Sequence, residues 1–395
     1  AISHTLLELG GASTLGIMLT SKANQIGIYL PPDQLFQFPT IAQLADMAST
    51  APIIQAEQGV VKGPMPLTPI QHWFFEQNLL ESHHWNQAFL LKAPHTLDAS
   101  LLEEAIYQLL LHHDALRLRF TLENSEWHQV MTSPDEVVPV SRMDFSELTK
   151  AEQKTAIQST ATKLQASLNL GEGPLIRVAL FELDSHELSF LLIIIHHLAV
   201  DGVSWRILLE HLEVLYNQLG NNQVVQLPPK TTSYKQWAHQ LEEYAQSDKL
   251  QQELPYWLAM QEKHHPPLPV DYPLGIDDNT VSSADTVSVS LNIEDTETLL
   301  KKVPKAYQTQ INDVLLTALA QAVTKWTGTS TFLVDLEGHG REAIFEDADL
   351  SRTVGWFTTI FPVSLSLERS SKPGEMLKSI KEQLRHIPNR GMGYG

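Results

Sequence analysis

Cysteine is absent from all 395 residues, which excludes disulfides, zinc–thiolate sites and a thiol nucleophile. Basic residues are scarce: 27 Lys and Arg stand against 46 Asp and Glu, a net charge of -19. Nucleic acid and anionic membrane both need basic surface, so neither is expected as a partner. No apolar run approaches the roughly 18 residues of a membrane span, and no signal peptide is evident, so a cytoplasmic protein is expected. Three further signatures are missing: GxxxxGK[ST] for a P-loop, GxSxG for a nucleophile elbow, and GxGxxG opening a helix after a strand. Ser204 lies in "GVSWR", which lacks the elbow's final glycine.

What remains is a globular composition long enough for two or three packed units. Residues 1–50 read as short helices. "STLGIMLTSKAN" spaces Leu15, Met18 and Leu19 helically, and "TIAQLADMAS" reads as a second helix with Thr40 as its cap. Residues 51–66 carry prolines and glycines without a sustained period and read as a linker. Composition breaks near 221–233 and 264–279 divide the remainder into a lobe at 67–225, a helical bridge at 226–279 and a second lobe at 280–395.

The first informative stretch is "SFLLIIIHHLAVDGVSW". Its continuous apolar run predicts a strand buried on both faces. After Asp201, the spacing of Trp205, Leu208, Leu209, Leu212, Leu215, Tyr216 and Leu219 predicts a helix. Neighbouring residues of a strand point to opposite faces, so His196 and His197 do not share one cavity if the strand persists. That weakens a metal reading, and no HExxH-type spacing supplies further ligands. Asp201 reads as the helix N-cap. On local pattern alone, structural and functional readings of the histidines stand level.

The second stretch is "STFLVDLEGHGRE". An alternating strand places Phe332, Val334 and Leu336 on one face and Leu333, Asp335 and Glu337 on the other. The acidic face is either solvated or part of a cavity. In a cavity, like charges would push one carboxyl pKa upward, towards proton transfer near neutral pH.

"HHLAVDGVSW" fits the HHxxxDG motif of the condensation superfamily of nonribosomal peptide synthetases, and "VDGVSWRILLEHL" resembles its epimerization branch. "PLTPIQHWFFEQ", "HWNQAFLL", "VDLEGHGRE", "RTVGWFTTIFPV" and "PNRGMGYG" resemble further motifs of that branch, in the right order across 66–395. The resemblance implies an α/β fold of two chloramphenicol acetyltransferase-like lobes in a V arrangement, with a tunnel at their junction. Residues 1–50 resemble the later part of a peptidyl carrier protein. Ser13 of its "LGGxS" core matches the attachment site for a covalent 4'-phosphopantetheine. Ala12 departs from the Asp usual before that serine, and the leading carrier helix is missing. The family continues beyond Gly395, so the sequence reads as part of a longer chain.

The implied activity is inversion of the Cα centre of an L-aminoacyl or peptidyl thioester tethered to the carrier. His197 and Glu337, one from each lobe, would be the two proton carriers. Asp201 would orient the loop through a charge pair with Arg341. His196 would point into structure, Asp335 would flank the acid, and Trp205 and Trp356 would pack a helix and a strand. Neither a metal nor pyridoxal phosphate is called for. The implied partners are an upstream adenylation domain, a downstream condensation domain and a phosphopantetheinyl transferase. Two alternatives stay open. One is a condensation domain making a peptide bond; the other is a degenerate condensation-like domain that only docks partners. The acid at Glu337 favours epimerization over condensation.

Overall fold

A computed structural model of the chain describes residues 16, 19–20, 22–23, 26–30, 40–50, 56–93, 97–135, 137–183, 189–263, 265–271, 280–368 and 372–395. Ser13, Ala12, Leu15 and Met18 lie outside them. Near the N-terminus, β1 (Ile28–Tyr29) and β2 (Ser49–Thr50) pair antiparallel around α1 (Ile41–Met47). Thr40 caps α1 as the sequence predicts, in a reciprocal capping box with Gln43.

The next elements are β3 (Gly63–Met65), α2 (Pro69–Glu76), β4 (Asn86–Ala93), α3 (Ala99–His112), β5 (Leu118–Glu123) and β6 (Glu126–Met131). They are followed by β7 (Val140–Asp144), α4 (Lys150–Gln165), β8 (Ile176–Glu182), β9 (Ser189–His196) and α5 (Gly202–Gly220). One sheet runs β4-β9-β8-β7 and a smaller one β3-β6-β5. The linker read at 51–66 is therefore too long. Val61 is buried in the core, and Gly63–Met65 pairs with Gln129–Met131. Pro64 sits in β3, an edge strand where a missing N–H costs little, so composition alone mimics a linker.

β9 is an interior strand of the four-stranded sheet, and its unbroken apolar run has a direct cause. Leu191, Ile193 and Ile195 join the main core together with α3 and α5. Leu192 and Ile194 face the other way, into a cluster with Leu168, Ala179 and Phe181. Both faces are covered, so the strand carries no polar alternation.

α6 (Tyr234–Ala245) and α7 (Leu254–Gln261) follow, then α8 (Ile311–Thr327), β10 (Thr331–Gly338), β11 (Thr359–Ser366) and α9 (Pro373–Arg385). Tyr234, Trp237 and Ala238 pack into the main core. Trp257 and Met260 pack into a second core with Phe332, Phe361, Val363 and Ile380. The helical segment thus spans both cores. The division at 280 is not clean: Leu350, Val354, Trp356, Phe357 and Met392 belong to the main core, not the second.

Candidate active site

β9 ends at His196 because the chain turns there into a short helical turn, His197–Ala199. His196 is fully buried. Its Nε2 donates to the Ser82 carbonyl at 2.8 Å and its Nδ1 accepts from the Leu198 N–H at 3.1 Å. Both ring nitrogens are committed to backbone, and burial pushes its pKa down to about 4. It is a neutral structural residue. His197, half-buried, begins the turn and points elsewhere. Its ring lies against Trp356, centroids 4.4 Å apart, and its Nε2 is 2.9 Å from the Gln87 side chain. Its Nδ1 is buried without a hydrogen-bond partner among the described residues.

Asp201 caps α5, accepting the Ser204 N–H at 2.7 Å. It also carries the charge pair the resemblance implies. Arg341 Nη2 lies 3.1 Å from both carboxylate oxygens, and both side chains are almost fully buried. Arg341 further donates to Ser204 Oγ and to the carbonyls of Leu350 and Thr353, and its guanidinium lies 3.9 Å from the centre of the Phe357 ring. Burial lowers the Arg341 pKa, and the Asp201 carboxylate opposes that shift.

These contacts converge on the segment 353–358. Gly355 exchanges two hydrogen bonds with Ser204 Oγ, Phe357 N donates to Asp201, and the Tyr234 hydroxyl donates to the Trp356 carbonyl at 2.8 Å. Two glycines make room for this. Gly340, at φ +64, faces the Phe357 carbonyl so closely that a Cβ would overlap it. At Gly355 a Cβ would come within 2.5 Å of the Tyr234 ring. Gly355→Ala should therefore lower the unfolding midpoint by the equivalent of about 1–3 kcal/mol, the usual scale of overpacking. Its pairing with Tyr234→Leu, which removes the ring the Cβ would meet, should be non-additive in thermal melts, and a neutral Gly355→Ala would refute the close packing. Trp356 is not in a strand, as its sequence neighbourhood implied; it precedes β11 in this extended segment.

Glu337 lies near the end of β10, opposite Ile360. The alternation is as read, with Leu333, Asp335 and Glu337 exposed and Phe332 buried. The acidic face is solvated, because among the described residues nothing packs over it; β10 pairs only with β11 and sets its other face on the second core. Glu337 Oε1 accepts from Thr358 Oγ1 at 3.3 Å. Asp335 stands further from this segment, opposite Pro362. His197 and Glu337 thus reach the same three-residue segment, one at Trp356 and one at Thr358. A cleft of about 500 Å³ opens beside it, walled by Leu67, His72, Trp237, Trp356, Thr358 and Tyr394. Each candidate touches a wall residue of that cleft, and neither lines it.

Sequence reasoning missed Gln87, Ser204 and Tyr234 as parts of this assembly. It also missed a cluster in which His112, His113 and His211 bring ring nitrogens within 4.8 Å of one another. Its donors suit a metal, but its surroundings do not. Arg352 donates to His211 Nε2, and Lys230 and Arg352 add positive charge beside rings that burial already holds neutral, with His211 pushed down to about 3. A dication would meet two resident cations there.

Residues 61–395 match the family model described as "Condensation domain". A linear gramicidin synthase of Brevibacillus parabrevis is 48% identical over the whole chain, which spans only 5% of that protein's length. Gramicidin S synthase 1 of Brevibacillus brevis is 38% identical, again over the whole chain, which spans 35% of it. Among solved structures, the epimerization domain from the third module of tyrocidine synthetase B is 40% identical, with a TM-score of 0.77 over 86% of this chain and 75% of that one. The first condensation domain of the CDA synthetase shares the fold at 18% identity, with a TM-score of 0.65 over 83% and 77% of the two chains.

Proposed function

From the premise that the chain belongs to the condensation-domain family of nonribosomal peptide synthetases, we propose that it epimerizes the Cα of an L-aminoacyl or peptidyl thioester. The observation that carries this reading is the convergence of two titratable side chains on one segment, His197 after β9 on Trp356 and Glu337 of β10 on Thr358. The sequence contrast supports it as well: identity is 40% to an epimerization domain and 18% to a condensation domain.

The chemistry needs no redox partner. A thioester acidifies its α-hydrogen. One side chain takes that proton from Cα, and the electron pair moves into the carbonyl as an enolate. The second side chain returns a proton to the opposite face, restoring the carbonyl with inverted configuration. Histidine can accept a proton near neutral pH and return it as imidazolium, and a carboxylate can act as the base when the reaction runs in the other sense. Asp201 and Arg341 hold the segment between the two and take no part in the transfer.

The substrate would be presented on a carrier arm, with Ser13 as the phosphopantetheine attachment point. An adenylation domain would supply the aminoacyl group and a downstream condensation domain would consume the product. Ser13→Ala should abolish mass addition by a phosphopantetheinyl transferase; persistent addition would remove residues 1–50 from the carrier role. The test of function is the chain charged with an L-aminoacyl phosphopantetheine in D₂O. Deuterium at Cα and a mixture of enantiomers in the released acid are expected. Peptide-bond formation with an added acceptor and no Cα exchange would instead establish the condensation reading.

A further inference from the structure

Gln87, half-buried on β4, stands between Trp205 and His197. The Trp205 indole N–H donates to Gln87 Oε1 at 2.7 Å. An indole nitrogen only donates, so the amide oxygen faces Trp205 and the amide nitrogen faces away. That nitrogen lies 2.9 Å from His197 Nε2. An amide N–H also only donates, so Nε2 is the acceptor. A neutral imidazole accepting at Nε2 carries its proton on Nδ1. The direction of one indole thereby fixes the state of a histidine two contacts away.

We propose that Trp205 and Gln87 form a relay that sets the tautomer of His197, with Gln87 as a positioning residue. The relay keeps Nδ1 protonated and makes Nε2 the only basic nitrogen of the ring. It also caps that lone pair, which accepts one hydrogen bond at a time, so an incoming Cα–H displaces the Gln87 amide to reach it. The buried Nδ1 is then a donor that finds no acceptor among the described residues. The catalytic meaning of the relay rests on the proton-carrier role proposed for His197; the tautomer does not.

The test separates the two. The chain is labelled with ¹⁵N-histidine, and two-bond ¹H–¹⁵N correlations are recorded at a pH where His197 is neutral. Its signals are identified by their absence in His197→Gln. The wild type should show a protonated Nδ1 and a bare Nε2. Gln87→Glu substitutes an acceptor of the same shape for the amide donor, so the ring should switch to the Nε2–H form. Inversion should then fall by about 10²–10⁴-fold, as when a catalytic histidine is held in the wrong tautomer. Trp205→Phe frees the amide to turn and should give a mixture of both forms. An Nε2–H ring in the wild type, or an unchanged Nδ1–H ring in a folded Gln87→Glu, would overturn the relay. A tautomer that switches while inversion proceeds at the wild-type rate would uphold the relay and remove His197 from the proton-carrier role.

Discussion

Glu337→Gln should stop net inversion in both directions, a loss of about 10²–10⁴-fold, while Cα–H exchange persists from one stereoisomer. Inversion requires removal from one face and delivery to the other, so a site with one surviving carrier can still exchange the hydrogen that faces it. Glutamine keeps the shape of Glu337 and can still accept from Thr358 Oγ1, the contact seen at 3.3 Å. The substitution therefore removes the titrating group and leaves its surroundings in place. His197→Ala should give the complementary result, with exchange surviving from the other stereoisomer. It also removes a ring packed on Trp356, so its melting temperature is measured alongside. Cα–H exchange from the same stereoisomer at equal rates in both variants would rule out action on two faces. A change of only a few-fold in Glu337→Gln would make Glu337 an orienting residue and favour peptide-bond formation as the activity.

Arg341→Met should be the most destabilizing single change at this site, by roughly 3–5 kcal/mol. It would leave the Asp201 carboxylate buried without its counter-charge, and the carbonyls of Leu350 and Thr353 without their donors. Asp201→Asn in the same background removes the stranded charge while asparagine can still cap α5, so the double variant should recover part of the loss. Chemical denaturation with fitted midpoints checks both statements. A loss below about 1 kcal/mol for Arg341→Met is what an exposed pair would give, and would contradict the burial described for this one.

Much of the framework was legible because it rests on short-range periodicity. The run from Phe190 to Ile195 specified a strand covered on both faces, and the spacing from Trp205 to Leu219 specified the helix after it. Asp201 announced its capping role by position, and the alternation from Phe332 to Glu337 announced which face of β10 is apolar. Contacts between distant parts of the chain left no such trace. Gln87 reaches His197 across 110 residues, and Ser204 reaches Gly355 across 151. Glutamine, serine and tyrosine are common polar residues whose type alone does not disclose a partner. Pro64 hid an edge strand because proline marks loops and strand edges alike. Trp356 read as a strand residue because a tryptophan among apolar neighbours looks the same in a strand and in a buried extended segment.

The crossing of residues 350–357 into the main core bears on recombination between relatives. Two homologous chains joined anywhere between Tyr234 and Arg341 would receive Ser204, Asp201 and Tyr234 from one parent, and Arg341, Gly355 and Phe357 from the other. Those six residues make one set of hydrogen bonds and one close ring packing. A junction chosen at the composition break near 264–279 looks like a seam in the sequence, yet it cuts the residues that depend on each other most. Hybrids joined at that break should therefore lose stability unless their parents match on both sides of this contact.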